Sequence, residues 1–155
     1  MDARDRRHGA YRDALIEIVV PATGQQVEDA FAVRVAVFVD EQGIPRSEEL
    51  DDLDAVAVHC VGYLDGMPVA AGRLLLAGGY AKIGRMAVLA PHRGSGLGAG
   101  VLDALEREGV ARGVRHFKLS AQLHARGFYE RRGYAAVGDV YDEVGIPHIA
   151  MAKRL

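Results

Sequence analysis

The sequence has little cysteine, no long apolar run and almost no net charge, and each of these shortages excludes a class of protein. With one cysteine, Cys60, among 155 residues, the chain can form neither an internal disulfide nor a cluster of thiolate metal ligands. No apolar run reaches the ~20 residues that a membrane-spanning helix needs. The formal net charge of −2 gives no overall positive field to attract nucleic acid. We therefore expect a soluble protein without a metal site, a membrane contact or a nucleic-acid partner.

The first 13 residues differ in character from the rest of the chain. Their sequence, MDARDRRHGAYRD, mixes arginine with aspartate and contains no apolar stretch of the kind found in secretory signals. The interleaved aspartates favour a flexible, solvated tail over an arm that binds nucleic acid. The remaining residues, 14–155, are numerous enough to bury a core as a single domain. In the absence of a signal or a membrane span, we expect a cytoplasmic protein.

Apolar and alternating runs predict a chain rich in strands. The strands are expected at residues 14–20, 55–64, 68–77, 80–89, 114–121, 134–140 and 146–155. The helices are expected at residues 24–42, from a glycine-rich loop at 93–98 to about residue 112, and at 123–132, with a further short helix in the acidic segment 47–55. Asp65 and Gly66 predict a hairpin, and crossover helices in the second half predict a mixed sheet. Cys60 falls in an alternating strand, so we interpret it as a half-buried thiol in preference to a nucleophile.

The glycine-rich loop RGSGLG, residues 93–98, lies between the fourth predicted strand and the helix that follows it. Glycine permits a positive φ and lets a ligand approach the backbone closely. The first N–H groups of the helix lack intrahelical acceptors and lie at the positive end of its dipole. Strand, glycine turn and helix N-terminus together form a phosphate cradle, and Arg93 adds a charged donor at its rim.

Two familiar nucleotide-binding motifs do not fit this loop. A P-loop requires Lys and then Ser or Thr after the last glycine, where this chain has Ala99 and Gly100. A Rossmann loop opens the first βαβ unit, whereas this loop follows four predicted strands and its glycines are out of phase with GxGxxG. The alternative that the residues alone leave open is a flexible glycine-rich connection that binds nothing.

The loop and its surroundings resemble the GCN5-related N-acetyltransferase (GNAT) superfamily. RGSGLG matches that family's Arg/Gln-x-x-Gly-x-Gly/Ala loop, IGRMAVLAPHR resembles its fourth strand and turn, and ARGFYERRGYAAVG resembles its later helix and strand. The likeness in order and spacing runs from Leu15 to Leu155. The segments VFVDEQGIP, ELDDLDAVAVH and DEVGIPHIAM are further similar to the ElaA-like subgroup, whose substrates are poorly defined.

This resemblance implies a fold, a cofactor and a set of residues that bind it. The implied fold is α/β (α+β), a mixed central sheet of about seven strands flanked by about four helices, formed as one domain by residues 14–155. A bulge in the fourth strand parts it from the fifth, and acetyl-CoA binds in the gap with its pyrophosphate on the glycine loop. The residues assigned to the cofactor are Met86, Ala87 and Val88, through backbone groups, and Arg93, Gly94, Ser95, Gly96, Leu97, Gly98 and Ala99 in the loop.

The resemblance also assigns catalytic and substrate-binding residues. Acetyl transfer to an amine requires a neutral amine, a stabilised oxyanion and a proton for the departing thiolate. Tyr129, in FYERRGY, matches the tyrosine that protonates the thiolate, and a phenol with a pKa near 10 carries its proton at neutral pH; packing of the short helix is its alternative role. His148 can accept a proton near neutral pH, with a structural histidine as the alternative. Substrate binding is assigned to Glu143, which is near His148, and to Glu41. Both Glu41 and Arg34 match positions of the ElaA-like subgroup.

The acidic segment SEELDDLDA, residues 47–55, has two interpretations. Its carboxylates are Glu48, Glu49, Asp51, Asp52 and Asp54. In the resembling family this region borders the acceptor site, where a carboxylate cluster attracts a cationic amine. The simpler interpretation is a solvated acidic loop, which is what most charge runs are.

The leading hypothesis is an enzyme that transfers an acetyl group from acetyl-CoA to a primary amine. We expect the amine to belong to a small molecule and the transfer to be direct, within a ternary complex; a protein or peptide amine is the alternative within the same class. A hypothesis from another class is a module that binds acyl-CoA without turnover, as a sensor or docking domain. A homodimer that pairs through the last predicted strand is a further expectation.

Overall fold

The computed structural model describes residues 14–155, and the predicted tail at residues 1–13 lies outside the described part of the chain. The strands are β1 (Ile16–Val19), β2 (Val58–Leu64), β3 (Met67–Ala77), β4 (Tyr80–Val88), β5 (His116–Gln122), β6 (Ala135–Glu143) and β7 (Ile146–Arg154). The α-helices are α1 (Gln25–Arg34), α2 (Arg46–Glu49), α3 (Leu97–Ala111) and α4 (Arg126–Glu130). None of the described helices is long and apolar enough to cross a membrane.

The seven described strands form one mixed sheet in the order β1-β2-β3-β4-β5-β7-β6. Every neighbouring pair is antiparallel except β4 and β5, which are parallel because α3 crosses over between them. The predicted fold class is therefore confirmed. The expectation that the last strand offers a free edge for dimerisation is wrong, because β7 is paired on both sides and the edges are β1 and β6.

The two faces of the sheet are covered by different helices, and strand alternation divides the side chains between them. On one face, Leu102 and Leu105 of α3 pack against Phe117 and Leu119 of β5. On the other face, α1 and the segment after it cover only β2, β3 and part of β4, with Val33 among their buried residues. The second face over β5 and β7 is therefore left open.

A bulge in β4 and a divergence of β4 from β5 position the site. Arg73 of β3 pairs with Gly84, whereas Ala71 pairs with Ala87, so β4 has two residues opposite Gly72. Arg85, one of those two, has a φ of 54°, a conformation that non-glycine residues rarely adopt. The parallel pairing with β5 consists of three residue pairs, of which Ile83 with Leu119 is the last. Beyond that point the two strands leave a gap between them, as the resemblance implied.

Local differences from the predicted elements have physical causes. The helix expected over residues 24–42 is an α-helix only as far as Arg34, and residues Val35–Glu41 form a π-helix. Four valines at alternate positions, 33–39, weaken the α-helical preference there because β-branched side chains lose rotamer freedom in a helix. The hairpin at Asp65–Gly66 is confirmed, since both residues have positive φ, as a two-residue turn requires. The strand predicted to end at residue 140 continues to Glu143, because its last residues pair with β7.

Candidate active site

A cleft of about 570 Å³ opens where β4 and β5 part. Its walls come from the π-helix, β4, β5, α4 and the β6–β7 turn. Eight of the residues predicted from the sequence line it, namely Glu41, Met86, Ala87, Val88, Arg93, Tyr129, Glu143 and His148. The structure thus brings together side chains that lie up to 107 positions apart, and their roles stay predictions.

The glycine loop adjoins this cleft through Arg93 and leads into α3, and the other residues assigned to the cofactor, Gly94, Ser95, Gly96, Leu97, Gly98 and Ala99, are not among those that line it. Gly94 and Gly96 have φ values of 79° and 89°, so both adopt the left-handed conformation that glycine favours. A Cβ built on either glycine would meet no atom within 4 Å, which shows that open space faces the loop. The Ser95 hydroxyl donates a hydrogen bond to the carbonyl of His92 and fixes the turn. The first intrahelical bond runs from Gly100 N–H to the Gly96 carbonyl, so the N–H groups of residues 97–99 start the helix without an intrahelical acceptor.

Arg93 and Glu41 bind each other across the cleft. The two terminal guanidinium nitrogens of Arg93 donate to the two carboxylate oxygens of Glu41, each at 2.7 Å, and Nε donates to the Val88 carbonyl at 3.0 Å. Hydrogen bonding from Arg93 lowers the pKa of Glu41. The sequence assigned Arg93 to the cofactor and Glu41 to the substrate, whereas the structure joins the two residues in a bidentate ion pair. The pair ties the end of the π-helix to the rim of the glycine loop.

Tyr129 lies on α4, where its ring packs in the core and also lines the cleft. It is 7% exposed and makes edge-to-face contacts with Phe128 and Tyr134, at centroid distances of 5.0 and 5.8 Å. None of the described hydrogen bonds involves its hydroxyl, and burial raises the pKa of that hydroxyl above its ordinary value. The phenol therefore keeps its proton throughout the neutral range. Packing and proton donation are compatible roles for this residue, since they use different parts of the side chain.

His148 and Glu143 are neighbours at the opposite wall of the cleft. The Nδ1 atom of His148 donates to the Ile146 carbonyl at 2.7 Å, which leaves Nε2 as the nitrogen that accepts a proton in the neutral ring. Nε2 lies 3.4 Å from a carboxylate oxygen of Glu143, and the Ser120 hydroxyl donates to that same oxygen at 3.3 Å. The Tyr141 hydroxyl is hydrogen bonded to Ser120. A buried imidazole with a fixed tautomer and an adjacent carboxylate forms a suitable group for removing a proton from an amine.

Comparison with known proteins shows which family this chain belongs to. A model of the acetyltransferase (GNAT) domain matches residues 26–155. The chain belongs to the GNAT family of acetyltransferases. The recognition from the glycine loop and FYERRGY is therefore confirmed, and the chain is a GNAT-family N-acetyltransferase.

Relatives and solved structures agree with this membership. YjcF of Bacillus subtilis (strain 168), an uncharacterized N-acetyltransferase, is 39% identical over 139 residues, which cover 89% of this chain and 99% of YjcF. The crystal structure of an acyl-CoA N-acyltransferase from Pseudomonas aeruginosa has a TM-score of 0.79 at 30% identity, covering 90% of this chain and 99% of that one. Escherichia coli ElaA has a TM-score of 0.79 at 29% identity, covering 90% of this chain and all of the ElaA chain.

A network of three arginines and three carboxylates borders this GNAT cleft, which Glu49, Arg73 and Arg85 of the network line. Arg34, which is fully buried, donates to Glu49 and Asp54 at 2.9 and 2.8 Å. Arg73 donates to Asp51 and Asp54 at 2.7 and 2.9 Å. The bulge residue Arg85 lies 3.3 and 3.2 Å from the carboxylates of Glu49 and Asp51. We call this set the arginine–carboxylate network.

The network corrects both interpretations for three of the five carboxylates of the acidic segment, whereas Glu48 and Asp52 are exposed, as the solvated interpretation expects. Glu49, Asp51 and Asp54 are paired with arginines, so they neither form a solvated loop nor offer free charge to a cationic amine. Although burial opposes it, hydrogen bonding from Arg34 and Arg73 lowers the pKa of Asp54 to about 2. Burial raises the pKa of Glu49, even though Arg34 binds it. Sequence reasoning missed the pairing because its arginines come from α1, β3 and the β4 bulge, and only the fold brings them together.

A second contact that the sequence did not predict joins the π-helix to β5. The side-chain amides of Gln42 and Gln122 exchange hydrogen bonds at 2.8 and 3.2 Å, and both residues line the cleft. Because 80 positions separate the two glutamines, no local sequence pattern indicates that they are in contact. The pair holds the π-helix against β5, beside His148, which is opposite Gln122 in the sheet.

Proposed function

We propose that this acetyltransferase moves an acetyl group from acetyl-CoA to the primary amine of a small molecule, by direct transfer within a ternary complex. The observation that carries the proposal is the single cleft that runs from the glycine loop, past Tyr129, to His148 and Glu143. A donor and an acceptor bound at the two ends would meet beside Tyr129. A common cleft also makes a covalent enzyme intermediate unnecessary, and Cys60, the one cysteine, is buried away from it.

The donor end fits a coenzyme A pyrophosphate. The open space in front of Gly94 and Gly96 and the N–H groups at the start of α3 supply a cradle for a diphosphate. Residues 86–88 lie in the part of β4 that has lost its parallel partner, so their backbone groups face the gap. Arg93 reaches a phosphate at the rim by sharing or exchanging its bond to Glu41. When bound, acetyl-CoA supplies the acyl group as an activated thioester.

The residues of the chain then divide the proton transfers between them. His148 accepts a proton at Nε2 from the acceptor's ammonium, and Glu143 stabilises the imidazolium that results. Tyr129 donates its hydroxyl proton at the point where the thiolate departs, and its buried ring holds that hydroxyl in place. Since the pKa of Tyr129 is raised by burial, the phenol takes back a proton readily after each turnover.

The donor site is tested by thermal unfolding with and without coenzyme A. We expect acetyl-CoA and coenzyme A each to raise the melting temperature, because a ligand that binds only the folded state stabilises it. Gly96→Ala places a methyl group in the open space before the loop, and we expect it to weaken binding roughly tenfold or more, about 1.4 kcal/mol per factor of ten.

Gly79 provides a matched control for this variant. It has a φ of 88°, against 89° at Gly96, and also faces open space, but it lies in the turn between β3 and β4. Gly79→Ala therefore costs the same backbone strain and should bind coenzyme A like the parent. Equal loss in both variants, or no response of the parent to either form of coenzyme A, would contradict the donor site. Binding without turnover on any amine would instead indicate a non-catalytic acyl-CoA module.

A cytoplasmic location and a homodimer stay predictions.

A further inference from the structure

The open face of the sheet carries a row of basic side chains. Lys82 of β4 lies directly opposite Lys118 of β5, and His116 of β5 lies opposite Arg154 of β7. The alternate residues on β4 and β5 are buried against α3, so these four side chains project from the other face of the sheet, in the part over β5 and β7 that α1 leaves open. We call Lys82, His116, Lys118 and Arg154 the basic row.

The charges of the basic row are not neutralised. Among the described residues, no ion pair or hydrogen bond involves the side chains of Lys82, Lys118 or Arg154. The Lys118 ammonium instead lies 4.1 Å from the centroid of the Tyr80 ring. Desolvation, Arg154 and Lys118 all lower the pKa of His116. Like charges directly opposite each other on neighbouring strands are destabilising, so a bound anion would relieve the strain of this arrangement.

The basic row continues into the acceptor end of the cleft. Lys82 itself lines the cleft. Ser120, two residues after Lys118 and on the same face, also lines it and donates to Glu143 beside His148. Lys82 and the His148–Glu143 pair therefore line one cleft, on the side of the sheet opposite to α3.

Most other charges that line this end are already paired. Glu49 is bound by arginines in the arginine–carboxylate network, whereas Glu48, which also lines the cleft, is exposed and forms no side-chain ion pair with a described residue. Glu41 is bound by Arg93. Of the cations along the cleft, Lys82 is thus the one within the described residues that has no anionic partner.

We propose that the acceptor is an amine that carries an anionic group, which binds Lys82 and Lys118 while its amino group lies beside His148 and Glu143. The inference rests on the proposed function and narrows its substrate class to amino acids and related amino-phosphates. An acceptor of this kind brings one charge of each sign to a cleft that offers both signs: Lys82 has no anionic partner, and Glu48 and Glu143 have no lysine or arginine partner among the described residues. Its anionic group neutralises the basic row, and its ammonium is drawn to Glu143, where His148 removes the proton.

The test compares acceptors of equal carbon length in the acetylation reaction. The panel contains ω-amino carboxylates, aminoalkyl phosphates, alkylamines and diamines, each assayed for kcat/KM by release of the coenzyme A thiol. We expect one of the two anionic classes to have the highest value, which also identifies the anionic group. Lys82→Met should reduce the preference for that class over alkylamines roughly fivefold, the effect of one charge-assisted contact at a partly exposed site. Lys118→Met should act in the same direction, and Lys82→Glu should shift the preference towards diamines.

Arg107→Met supplies the control for net charge. Arg107 is exposed on α3, on the opposite side of the sheet, so its removal changes the charge of the protein but not the cleft. It should leave the preference unchanged. Higher salt should reduce the preference in the parent and not in Lys82→Met, because screening acts on the contact that the variant lacks.

The outcomes separate this inference from the proposed function. If alkylamines or diamines match the anionic amines, or if Lys82→Met keeps the preference, the inference is wrong while the acetyltransferase activity stands. If no amine is acetylated, the proposed function fails, and calorimetric binding of the same panel in the presence of coenzyme A decides the inference. Binding of the anionic amines that Lys82→Met weakens would support it, and no binding would overturn it.

Discussion

The Tyr129 hydroxyl carries the most specific chemical role assigned to a single atom of this protein. Its ring is held by Phe128 and Tyr134, and burial raises the pKa of its hydroxyl, so the phenol carries the proton that its proposed role requires over the whole neutral range. We expect Tyr129→Phe to keep the fold and the binding of coenzyme A. It should lower kcat about a hundredfold or more, since a positioned general acid contributes 10²–10⁴. Single-turnover kinetics, in which product release does not limit the rate, measures this effect.

Tyr134 is the matched control for that substitution. Its hydroxyl donates to Glu106 at 2.9 Å, and Glu106 also binds Lys153, so the group lies in a buried contact with α3 and β7. Tyr134→Phe should lower the melting temperature and leave kcat close to the parent value. A Tyr129→Phe enzyme that turns over like the parent would remove Tyr129 from the role of acid.

Single residues also show where the sequence stops being informative. The loop motif was sufficient to place Gly94 and Gly96 at a helix N-terminus in left-handed conformations. It did not predict that Arg93 binds Glu41, because the 52 positions between them are bridged only by the folded sheet. The tautomer of His148 could not be predicted either, since the Ile146 carbonyl that fixes it belongs to the first residue of β7, and its direction depends on the turn before it.

The bulge in β4 is the element on which the cleft depends. In the bulge, the Met86 side chain lies directly against Gly72. A Cβ at position 72 would lie 2.8 Å from the Met86 sulfur and 2.9 Å from Leu105 Cδ1. Gly72→Ala should therefore overpack this point and destabilise the protein by about 1–3 kcal/mol. Because Met86 is displaced, the affinity for coenzyme A should fall as well. Denaturant unfolding and calorimetry measure the two effects.

Gly78 allows the bulge effect to be separated from the general cost of losing a glycine. It lies in the turn between β3 and β4, has no positive φ, and a Cβ there would meet nothing within 4 Å. Gly78→Ala should stay within about 0.5 kcal/mol of the parent, as surface changes usually do. If Gly72→Ala were equally harmless, the contact between Met86 and the bulge would not govern the geometry of β4.

At the scale of elements, periodicity predicted strands well and helix type poorly. The alternation of Phe117, Leu119 and Ala121 placed β5 because one face of that strand is buried against α3. The π-helix at Val35–Glu41 differs from an α-helix by one residue per hydrogen-bonded ring, and apolar spacing does not resolve that difference. Strand order was also not predictable, since β7 enters the sheet between β5 and β6 by pairing that no local pattern encodes.

The arginine–carboxylate network links α1, the acidic segment and the two strands β3 and β4, and it makes the stability of the whole molecule depend on pH. The folded pKa of Asp54 is about 2, below its ordinary 3.8, and that of Asp51 is also lowered. A carboxyl with a depressed folded pKa contributes stability above its unfolded pKa and loses it as pH falls through the folded value. We expect the free energy of unfolding to decrease as pH falls from 3.8 towards about 2. Glu49, whose pKa is raised by burial, acts in the opposite direction but at higher pH, where it adds stability as pH falls from its raised folded pKa towards its ordinary 4.5.

Asp54→Asn tests the origin of that acid sensitivity. It removes the titrating carboxyl, so the slope of unfolding free energy against pH in this window should become shallower. Asp139→Asn on the exposed strand β6 should leave the slope unchanged. An unchanged slope in Asp54→Asn would show that acid unfolding starts outside the network.

The whole cleft was only partly predictable from the sequence. Its donor end follows from a contiguous motif, whose glycines and helix start are local features. Its acceptor end is built from β4, β5, the β6–β7 turn and α2, so its charges were visible in the sequence but their pairing was not. The acidic segment shows this most clearly, because its free carboxylates became partners of buried arginines once α1 and β3 packed against it.

The central claim is that this chain transfers an acetyl group to an amine, and the direct measurement is amine-dependent release of the coenzyme A thiol together with the mass of the acceptor. Acetyl-CoA is incubated with the protein and each member of an amine panel, and thiol and acetylated amine are quantified in the same sample. The account predicts equal amounts of thiol and N-acetylated product, formed only when an amine is present. Thiol release that does not depend on an amine, or acetyl-CoA that binds and remains intact with every amine, would contradict it.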